Sequence, residues 1–200
     1  MGLDANTQTL TDLSDAELVS RCLDAGQRYD DAFEVLYARY AARVFGFLLK
    51  LTGRREAAED ALQETFLRVH RSLERFDAGR DLMTWLLQIA RYVAIDAHRV
   101  EGKVKRLEER TAQDRGGEGV AGEAEATLAA EERKQQVDRA LATLSLDDRS
   151  LLLLRHYQGL TFREIGESTD CSSRTAQNRV EAAARRFQQA LLSLQGEQRS

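Results

Sequence analysis

Proline does not occur among the 200 residues, and aromatic side chains amount to only 6% of them. Runs in which Val, Ile or Thr alternate with polar residues are also scarce, which disfavours β-strands. The 13 glycines fall mostly between segments whose apolar residues recur every three or four positions. Such spacing is typical of amphipathic helices, so we predict an all-α protein.

Cysteine and histidine are too few and too widely spaced to build a disulfide framework or a metal centre. The two cysteines, Cys22 and Cys171, lie far apart in the chain, and the three histidines are isolated from one another. The sequence also lacks a nucleophile beside a base and a glycine-rich phosphate-binding loop. We therefore expect no enzyme activity, no metal and no cofactor.

Long apolar runs are missing as well. No run reaches the twenty or so residues needed to cross a bilayer, and the amino terminus lacks the basic-then-apolar pattern of a secretion signal. We therefore expect a cytoplasmic protein without membrane insertion. Its formal net charge is −4 at pH 7. Because DNA-binding domains usually carry a basic face, any contact with nucleic acid must come from local basic patches or from a complex with another protein.

Composition divides the chain into two helical domains separated by a linker. Residues 1–13 are polar and are expected to be disordered. The first domain is assigned to residues 14–102. Residues 107–132 contain eight acids but only two arginines, so we predict a flexible acidic linker at residues 103–128, extended by self-repulsion. The second domain is assigned to residues 129–195.

The first domain is predicted to be a bundle of helices. Ser14 and Glu17 have the spacing of a capping box, so a helix should begin there. A second helix, capped by Asp30 or Asp31, keeps helical apolar spacing until Gly53, which suits a left-handed C-cap.

A third helix, from about residue 55 to residue 74, has an acidic outer face. Acids on one helical face form a solvated surface more often than a site, so these residues are not predicted to be catalytic. The side chains singled out on this face are Asp60, Gln63 and Glu64.

The central helix of the first domain follows a glycine-containing loop at residues 76–81. One stripe of the helix is apolar and should face the core, namely Leu82, Trp85, Leu86, Ile89, Ala90, Val93 and Ala97. The opposite face collects Thr84, Gln88, Arg91, Ile95 and Arg99, with Asp96 beside them. Residues 91–106 include five basic and two acidic residues, which suit either a phosphate-facing patch or a solvated helix end.

The second domain has the pattern of a helix-turn-helix motif. Thr161 and Glu164 have capping-box spacing and open a short helix, a turn follows at residues 170–173, and a longer amphipathic helix ends the domain. Outward arginine and amide side chains near the start of such a helix can contact base edges, although a solvated helix fits the charge equally well. The candidates are Arg174, Thr175, Gln177, Asn178, Arg179, Arg185 and Arg186.

Three stretches resemble bacterial sigma-70 family sigma factors, in particular the extracytoplasmic-function (ECF) group. Residues 58–66 (Ala-Glu-Asp-Ala-Leu-Gln-Glu-Thr-Phe) are similar to the family segment that docks on the largest RNA polymerase subunit. Residues 159–167 (Gly-Leu-Thr-Phe-Arg-Glu-Ile-Gly-Glu) resemble sigma region 4. The promoter-melting segment is matched by Phe76, Thr84-Trp85-Leu86, Ile89-Ala90, Asp96 and Arg99.

The resemblance implies a sigma region 2-like helical bundle and a sigma region 4-like helix-turn-helix. Its implied function is to bind core RNA polymerase, recognise the −35 and −10 promoter elements, and promote promoter melting for transcription initiation. Core polymerase would be contacted by Asp60, Gln63 and Glu64, and the −35 element by the candidates of the last helix. The −10 element would be contacted by Asp77, Arg80, Thr84, Gln88, Arg91, Tyr92, Ile95, Asp96 and Arg99.

The expected partners are core RNA polymerase, promoter DNA and an anti-sigma factor. The chain departs from the family pattern at Tyr92, where asparagine is usual, at Asp170, where a glycine is usual, and at Gln177, which lacks a positive charge. These departures keep open the alternative of a polymerase-binding or anti-sigma-sequestered interaction protein with weakened promoter recognition. A helix-turn-helix repressor is a further alternative, which would bind duplex DNA without polymerase.

Overall fold

The computed structural model describes residues 10–24, 29–108 and 128–197. In these ranges the chain forms eight α-helices and no β-strand, which confirms the all-α prediction. The helices are α1 (Asp15–Leu23), α2 (Tyr29–Thr52), α3 (Arg55–Ser72), α4 (Leu82–Glu108), α5 (Leu128–Thr143), α6 (Leu146–Leu152), α7 (Phe162–Ser168) and α8 (Ser173–Glu197). A 3₁₀ turn (Leu73–Arg75) follows α3, and a π-helical turn (Leu153–Tyr157) follows α6.

The described residues show where the structure differs from the boundaries predicted for the linker and for the amino-terminal tail. Residues 109–127, which make up most of the predicted acidic linker, lie outside the described residues, as do residues 1–9. Helix α4 continues to Glu108, so residues 103–108 are helical although they were expected in the linker. Leu10, expected in the disordered tail, is buried in the core.

Two reciprocal capping boxes begin α1 and α7. The Ser14 hydroxyl accepts a hydrogen bond from the Glu17 amide, and the Glu17 carboxylate accepts one from the Ser14 amide at 2.9 Å. Thr161 and Glu164 repeat this arrangement. Both boxes confirm the sequence prediction, because each satisfies backbone N–H groups that the helix leaves without an internal partner.

The two ends of α2 differ in how well the sequence predicted them. Gly53 has φ +72° and its amide donates to the carbonyl of Leu49 at 2.9 Å, so the predicted left-handed C-cap is confirmed. At the other end Asp30 and Asp31 lie in the first turn rather than at the cap, because the helix begins at Tyr29. The two carboxylates there still interact favourably with the helix dipole.

Helix α4 is buried on more sides than a single apolar stripe would require. Of the predicted stripe, Leu82, Leu86, Ala90 and Val93 are buried. Ala97 is exposed, which contradicts the prediction. A second set of apolar side chains is buried as well, namely Met83, Leu87 and Ala94. Helix α4 packs against α2 and α3 and also against α6 and α7 of the second domain, which explains the additional burial.

The helix-turn-helix is built from α7, a tight turn and α8. A Cβ atom on Gly166 would lie 2.6 Å from the carbonyl oxygen of Cys171, so only glycine lets the turn fold back so closely. Asp170 has φ +52°, a left-handed conformation that aspartate tolerates better than most residues. The aspartate therefore performs the conformational role of the glycine that is usual in the family.

The two helical domains share one hydrophobic core. Buried side chains of the second domain, among them Leu151, Leu154 and Ile165, belong to the same cluster as Leu36, Phe47 and the other core residues of the first domain. Arg149, which is almost fully buried, donates hydrogen bonds to the carbonyls of Leu141 and Ala142 in its own domain and to that of Leu51 in the first domain. The described domains thus lie against one another.

Candidate nucleic-acid and polymerase-binding surfaces

The predicted polymerase-docking residues lie together on the outer face of α3. Asp60 and Gln63 are exposed, and Glu64 is held by Arg68, whose Nε lies 2.7 Å from the carboxylate. Arg68 also approaches Asp96 of α4, at 3.7 Å. The ion pairs fix the direction of the Glu64 carboxylate and leave Asp60 available to a basic partner.

Leu67 extends this face and was not among the residues predicted from the sequence. It lies three residues after Glu64 and four after Gln63, so it shares their side of the helix. Its side chain is 51% exposed, whereas neighbouring Phe66 is buried. An exposed leucine beside acids is a small apolar contact point, and its position could have been read from the same helical spacing.

The loop before α4 is a compact turn. The Asp77 carboxylate accepts a hydrogen bond from the Gly79 amide at 2.9 Å, and the Arg80 amide donates to the Asp77 carbonyl at 2.9 Å. Asp81 accepts from the Thr84 amide at 2.6 Å, which makes it the N-terminal cap of α4. This cap was not predicted from the sequence, although its signal, an aspartate three residues before a threonine at a helix start, was present.

The ring of Trp85 packs on Phe76 at a centroid distance of 5.0 Å. Both side chains lie against the core and are partly exposed. Trp85 therefore packs against the core, as expected, but part of its indole remains accessible next to the loop.

Two residues predicted to face DNA are buried in this structure. Thr84 is 3% exposed and Arg91 is 4% exposed. The prediction that both lie on an open polar face of α4 is thus corrected, and Arg91 is buried because side chains of the second domain pack against it. Arg91 donates from Nε to the Ser150 hydroxyl at 2.8 Å, and its Nη2 pairs with Asp147. Burial lowers the pKa of the Arg91 guanidinium, and the adjacent Asp147 carboxylate opposes that shift.

Tyr92 and Arg80 also contact the second domain. The Tyr92 hydroxyl donates to the Asp170 carboxylate at 2.9 Å, and Arg80 lies 3.9 Å from the Glu167 carboxylate. Burial, and then the hydrogen bond to Asp170, raise the pKa of the Tyr92 phenol. Among the other residues proposed for the −10 element, Gln88 and Ile95 are half-buried and Asp77, Asp96 and Arg99 are exposed.

The candidate recognition helix α8 presents most of its predicted contacts to solvent. The exposed members are Arg174, Thr175, Gln177, Asn178, Arg185 and Arg186. The Ser172 hydroxyl accepts from the Thr175 amide at 3.1 Å and caps the helix start. Arg186 pairs with Asp148 at 2.8 Å. Arg179 differs, since it is half-buried and pairs with Asp147 at 2.7 Å.

Asp147 therefore contacts one residue from each of the two sets of candidate DNA-binding residues. Its two carboxylate oxygens bind Arg91 of α4 and Arg179 of α8. Partial burial lowers the pKa of Arg179, but the hydrogen bond and charge of Asp147 outweigh it, so the pKa of that guanidinium is raised. Asp147 was not among the residues predicted from the sequence. No local pattern marks a contact with a residue 56 positions away.

Within the described residues, no helix is long and apolar enough to cross a membrane, and no cluster of three or more His, Cys, Asp or Glu side chains could hold a metal ion.

Family models match both helical domains in order. The model for sigma-70 region 2 matches residues 36–104, and a model for sigma-70 region 4 matches residues 134–187. The chain is 34% identical over 165 residues to the RNA polymerase sigma factor CarQ of Myxococcus xanthus, covering 82% of this chain and 92% of that protein. It is 29% identical to the ECF RNA polymerase sigma factor SigK of a Mycobacterium species (strain KMS), covering 82% and 86%.

Solved structures show the same fold. The sigma factor RpoE of Bartonella quintana, crystallised with the anti-sigma factor NepR, has a TM-score of 0.64 at 23% identity and covers 80% of this chain and 96% of its own. CnrH, solved with the cytosolic domain of CnrY, has a TM-score of 0.61 at 20% identity and covers 90% and 97%. The chain belongs to the sigma-70 family of RNA polymerase sigma factors, within its ECF group.

Proposed function

We propose that this chain binds core RNA polymerase, recognises the −35 and −10 promoter elements and promotes melting of the −10 element. The observation that carries the proposal is the match of both sigma regions, in order, to the two described helical domains. The 34% identity to a sigma factor across 92% of that protein's length supports the same function for the whole arrangement.

Each surface has a proposed task. The outer face of α3, with Asp60, Gln63 and Glu64, docks on basic side chains of the polymerase. The loop at residues 76–81 receives an unstacked base, and the exposed side chains of α4 hold the opened strand. Arg174 and its neighbours at the start of α8 contact base edges of the −35 element, while Arg185 and Arg186 contact phosphates.

The protein carries out no covalent chemistry in this proposal. Core polymerase forms the phosphodiester bonds, and the chain supplies sequence recognition and strand separation through binding energy alone. The proposed location is the cytoplasm, where the polymerase and the promoters are found. The third proposed partner is an anti-sigma factor, as in the complex of the Bartonella quintana sigma factor RpoE.

A second candidate function is supported by one specific observation. Arg91, Tyr92 and Arg179 are engaged by the second domain or by Asp147 rather than presented to solvent. A chain that keeps this arrangement on the polymerase would be a polymerase-binding or anti-sigma-held interaction protein with weakened promoter recognition.

In vitro transcription separates the two candidates. Purified core polymerase is incubated with fragmented genomic DNA of the host, with and without this protein, and the 5′ ends of the transcripts are sequenced. We expect new start sites that share a −35 and a −10 pattern. Binding to core polymerase without new starts would contradict promoter recognition and support the interaction protein. No new starts together with no binding to core polymerase would contradict both.

A further inference from the structure

We propose that Glu181, on the outer side of α8, determines the base preference at one position of the −35 element by accepting a hydrogen bond from the amino group of a cytosine. The inference rests on the proposed function and deepens it, because it assigns one base-reading contact within the surface proposed for the −35 element. The steps of the argument are the position of Glu181 on the helix, the direction of its carboxylate, and the chemistry of the bases.

Helical spacing and burial define the side of α8 that points outward. Ala176, Val180 and Ala183 are buried, and they follow one another at steps of four and three residues, so they mark the inner side of the helix. The positions half a turn away from these three are exposed and follow the same steps. They form an outer stripe that consists of Arg174, Asn178, Glu181 and Arg185. Glu181 therefore lies among the side chains that can enter a major groove first.

One flank of the outer stripe is held by α6. Arg179 pairs with Asp147 at 2.7 Å, and Arg186, seven residues further along α8, pairs with Asp148 at 2.8 Å. Both ion pairs lie within the second domain and join the start of α6 to the same side of α8. They draw the two guanidiniums towards α6, so this flank can meet phosphates of a duplex, but the base edges are left to the outer stripe.

On the other flank, Gln177 fixes the direction of the Glu181 carboxylate. The side-chain nitrogen of Gln177 donates to Glu181 Oε1 at 2.9 Å, one helical turn away. An ionised carboxylate has two oxygens that accept about four hydrogen bonds in all, so acceptor positions remain for a partner in the groove. Gln177 is thus a positioning residue, because a carboxylate that is already held loses less conformational entropy when it binds a base.

The chemistry of a carboxylate selects the base. An ionised carboxylate accepts hydrogen bonds and donates none, so its partner must be a donor. In the major groove cytosine presents an amino group, whereas guanine presents acceptors and thymine presents an acceptor and a methyl group. Adenine also has an amino group, but its neighbouring N7 acceptor would face the second carboxylate oxygen. Cytosine is therefore the base that fits Glu181.

The charges near Glu181 allow this carboxylate to approach DNA. Phosphates would repel an isolated carboxylate, but Arg185 follows Glu181 by four residues and Arg174 precedes it by seven, on the same side of the helix. The outer stripe thus carries two positive charges and one negative charge. The arginines supply attraction to the duplex, and the carboxylate supplies discrimination between bases.

Selection from a library of random duplexes tests the assignment. Holoenzyme is reconstituted from core polymerase and the full-length chain, and the sequences that it binds are enriched and sequenced. The wild type should enrich a −35 motif that contains a C·G pair at one position. Glu181→Gln should replace this pair by A·T, because a glutamine amide pairs with the N6 and N7 atoms of adenine. The other positions of the motif should stay unchanged.

Binding of the holoenzymes to single duplexes gives the size of the effect. The readout is the ratio of the affinities for the selected duplex and for one in which the C·G pair is replaced. Glu181→Ala should reduce this ratio by about 10- to 100-fold. Gln177→Ala should reduce it by a smaller factor and keep the preference for cytosine. Loss of helix stability alone would weaken binding to both duplexes and leave the ratio unchanged.

Asp138→Asn is the control, because it neutralises an exposed carboxylate on α5 of the same domain and should leave both the motif and the ratio unchanged. A cytosine preference that is changed by Glu181→Gln and lost in Glu181→Ala supports the inference. A wild-type motif that the Glu181 variants share, or an equal loss of affinity for both duplexes, overturns it and leaves the proposed function intact. If the wild-type holoenzyme enriches no motif, promoter recognition itself is contradicted, and the assignment of Glu181 is overturned with it.

Discussion

The Arg149 side chain caps the carboxyl ends of two helices at once. Its guanidinium donates to carbonyls at the end of α5, those of Leu141 and Ala142, and to the carbonyl of Leu51 at the end of α2. Helix ends leave such carbonyls without internal partners, and a cation also suits the negative end of the helix dipole. Burial lowers the pKa of this arginine, yet three neutral acceptors keep its buried charge satisfied.

Cys22 gives a prediction about pH. It is 1% exposed in α1, and burial raises the pKa of its thiol from 9.0 to about 11. Because the folded-state pKa is the higher one, the stabilisation is complete below pH 9 and is lost as the pH rises towards 11. Between pH 9 and pH 11 we expect the unfolding free energy of Cys22→Ala to fall by about 2 kcal/mol less than that of the wild type.

Urea unfolding at a series of pH values measures this effect. Tyr40, whose phenol pKa is raised by burial and by its hydrogen bond to Asp15, contributes equally to both proteins. Cys171→Ala is the matched control, because it removes a half-exposed thiol in the helix-turn-helix. If the unfolding free energy of Cys22→Ala fell with pH as steeply as that of the wild type, the buried thiol would not be the cause of the fall.

Local sequence signals predicted the elements well. The capping boxes at Ser14 and Thr161, the left-handed Gly53 and the helix-turn-helix depend on residues within a few positions of one another, so a pattern can reveal them. Contacts of α4 with the second domain could not be predicted in this way. Arg91 and Asp147 are separated by 56 positions and by the linker, and a helix buried on two faces does not show one clean stripe.

The outer face of α3 gives a prediction at the scale of one element. We expect Asp60→Lys/Glu64→Lys to weaken binding to core polymerase by about 10- to 100-fold, because like charges would face one another across the proposed interface. Exposed substitutions of this kind usually change stability by less than about 1 kcal/mol, so the fold should persist. The measurement is a fluorescence titration of labelled protein with core polymerase, accompanied by thermal unfolding.

Glu34→Lys is the control for this face, since it reverses an exposed charge on α2. It should bind core polymerase as the wild type does. If the α3 double variant binds equally well, the docking surface lies elsewhere, and the family resemblance of residues 58–66 does not transfer to contact with the polymerase.

At the scale of the whole molecule, the shared core determines how independent the two domains are. The sequence predicted two domains tied by a flexible linker, and both domains are present, but their buried side chains form one cluster. Composition could reveal the break between the domains because the acids and glycines of residues 107–132 stand out locally. Composition could not reveal that apolar surfaces of the two domains would pack against one another, since each domain has enough apolar residues to predict a complete core of its own.

The shared core predicts that the two domains unfold together, in one cooperative transition. Leu151, Leu154 and Ile165 pack in the same cluster as Leu36 and Phe47, so loss of one domain would expose apolar surface of the other. We expect a single calorimetric transition in which the calorimetric and van't Hoff enthalpies agree. An added Cβ atom on Gly46 would lie 2.8 Å from the Tyr157 hydroxyl of the second domain, so Gly46→Phe should separate the domains and split the transition into two, each with a smaller enthalpy. Gly102→Phe should keep one transition, because an added Cβ atom there meets nothing within 4 Å. Two transitions in the wild type would mean that the contacts between the domains contribute too little free energy to couple their unfolding.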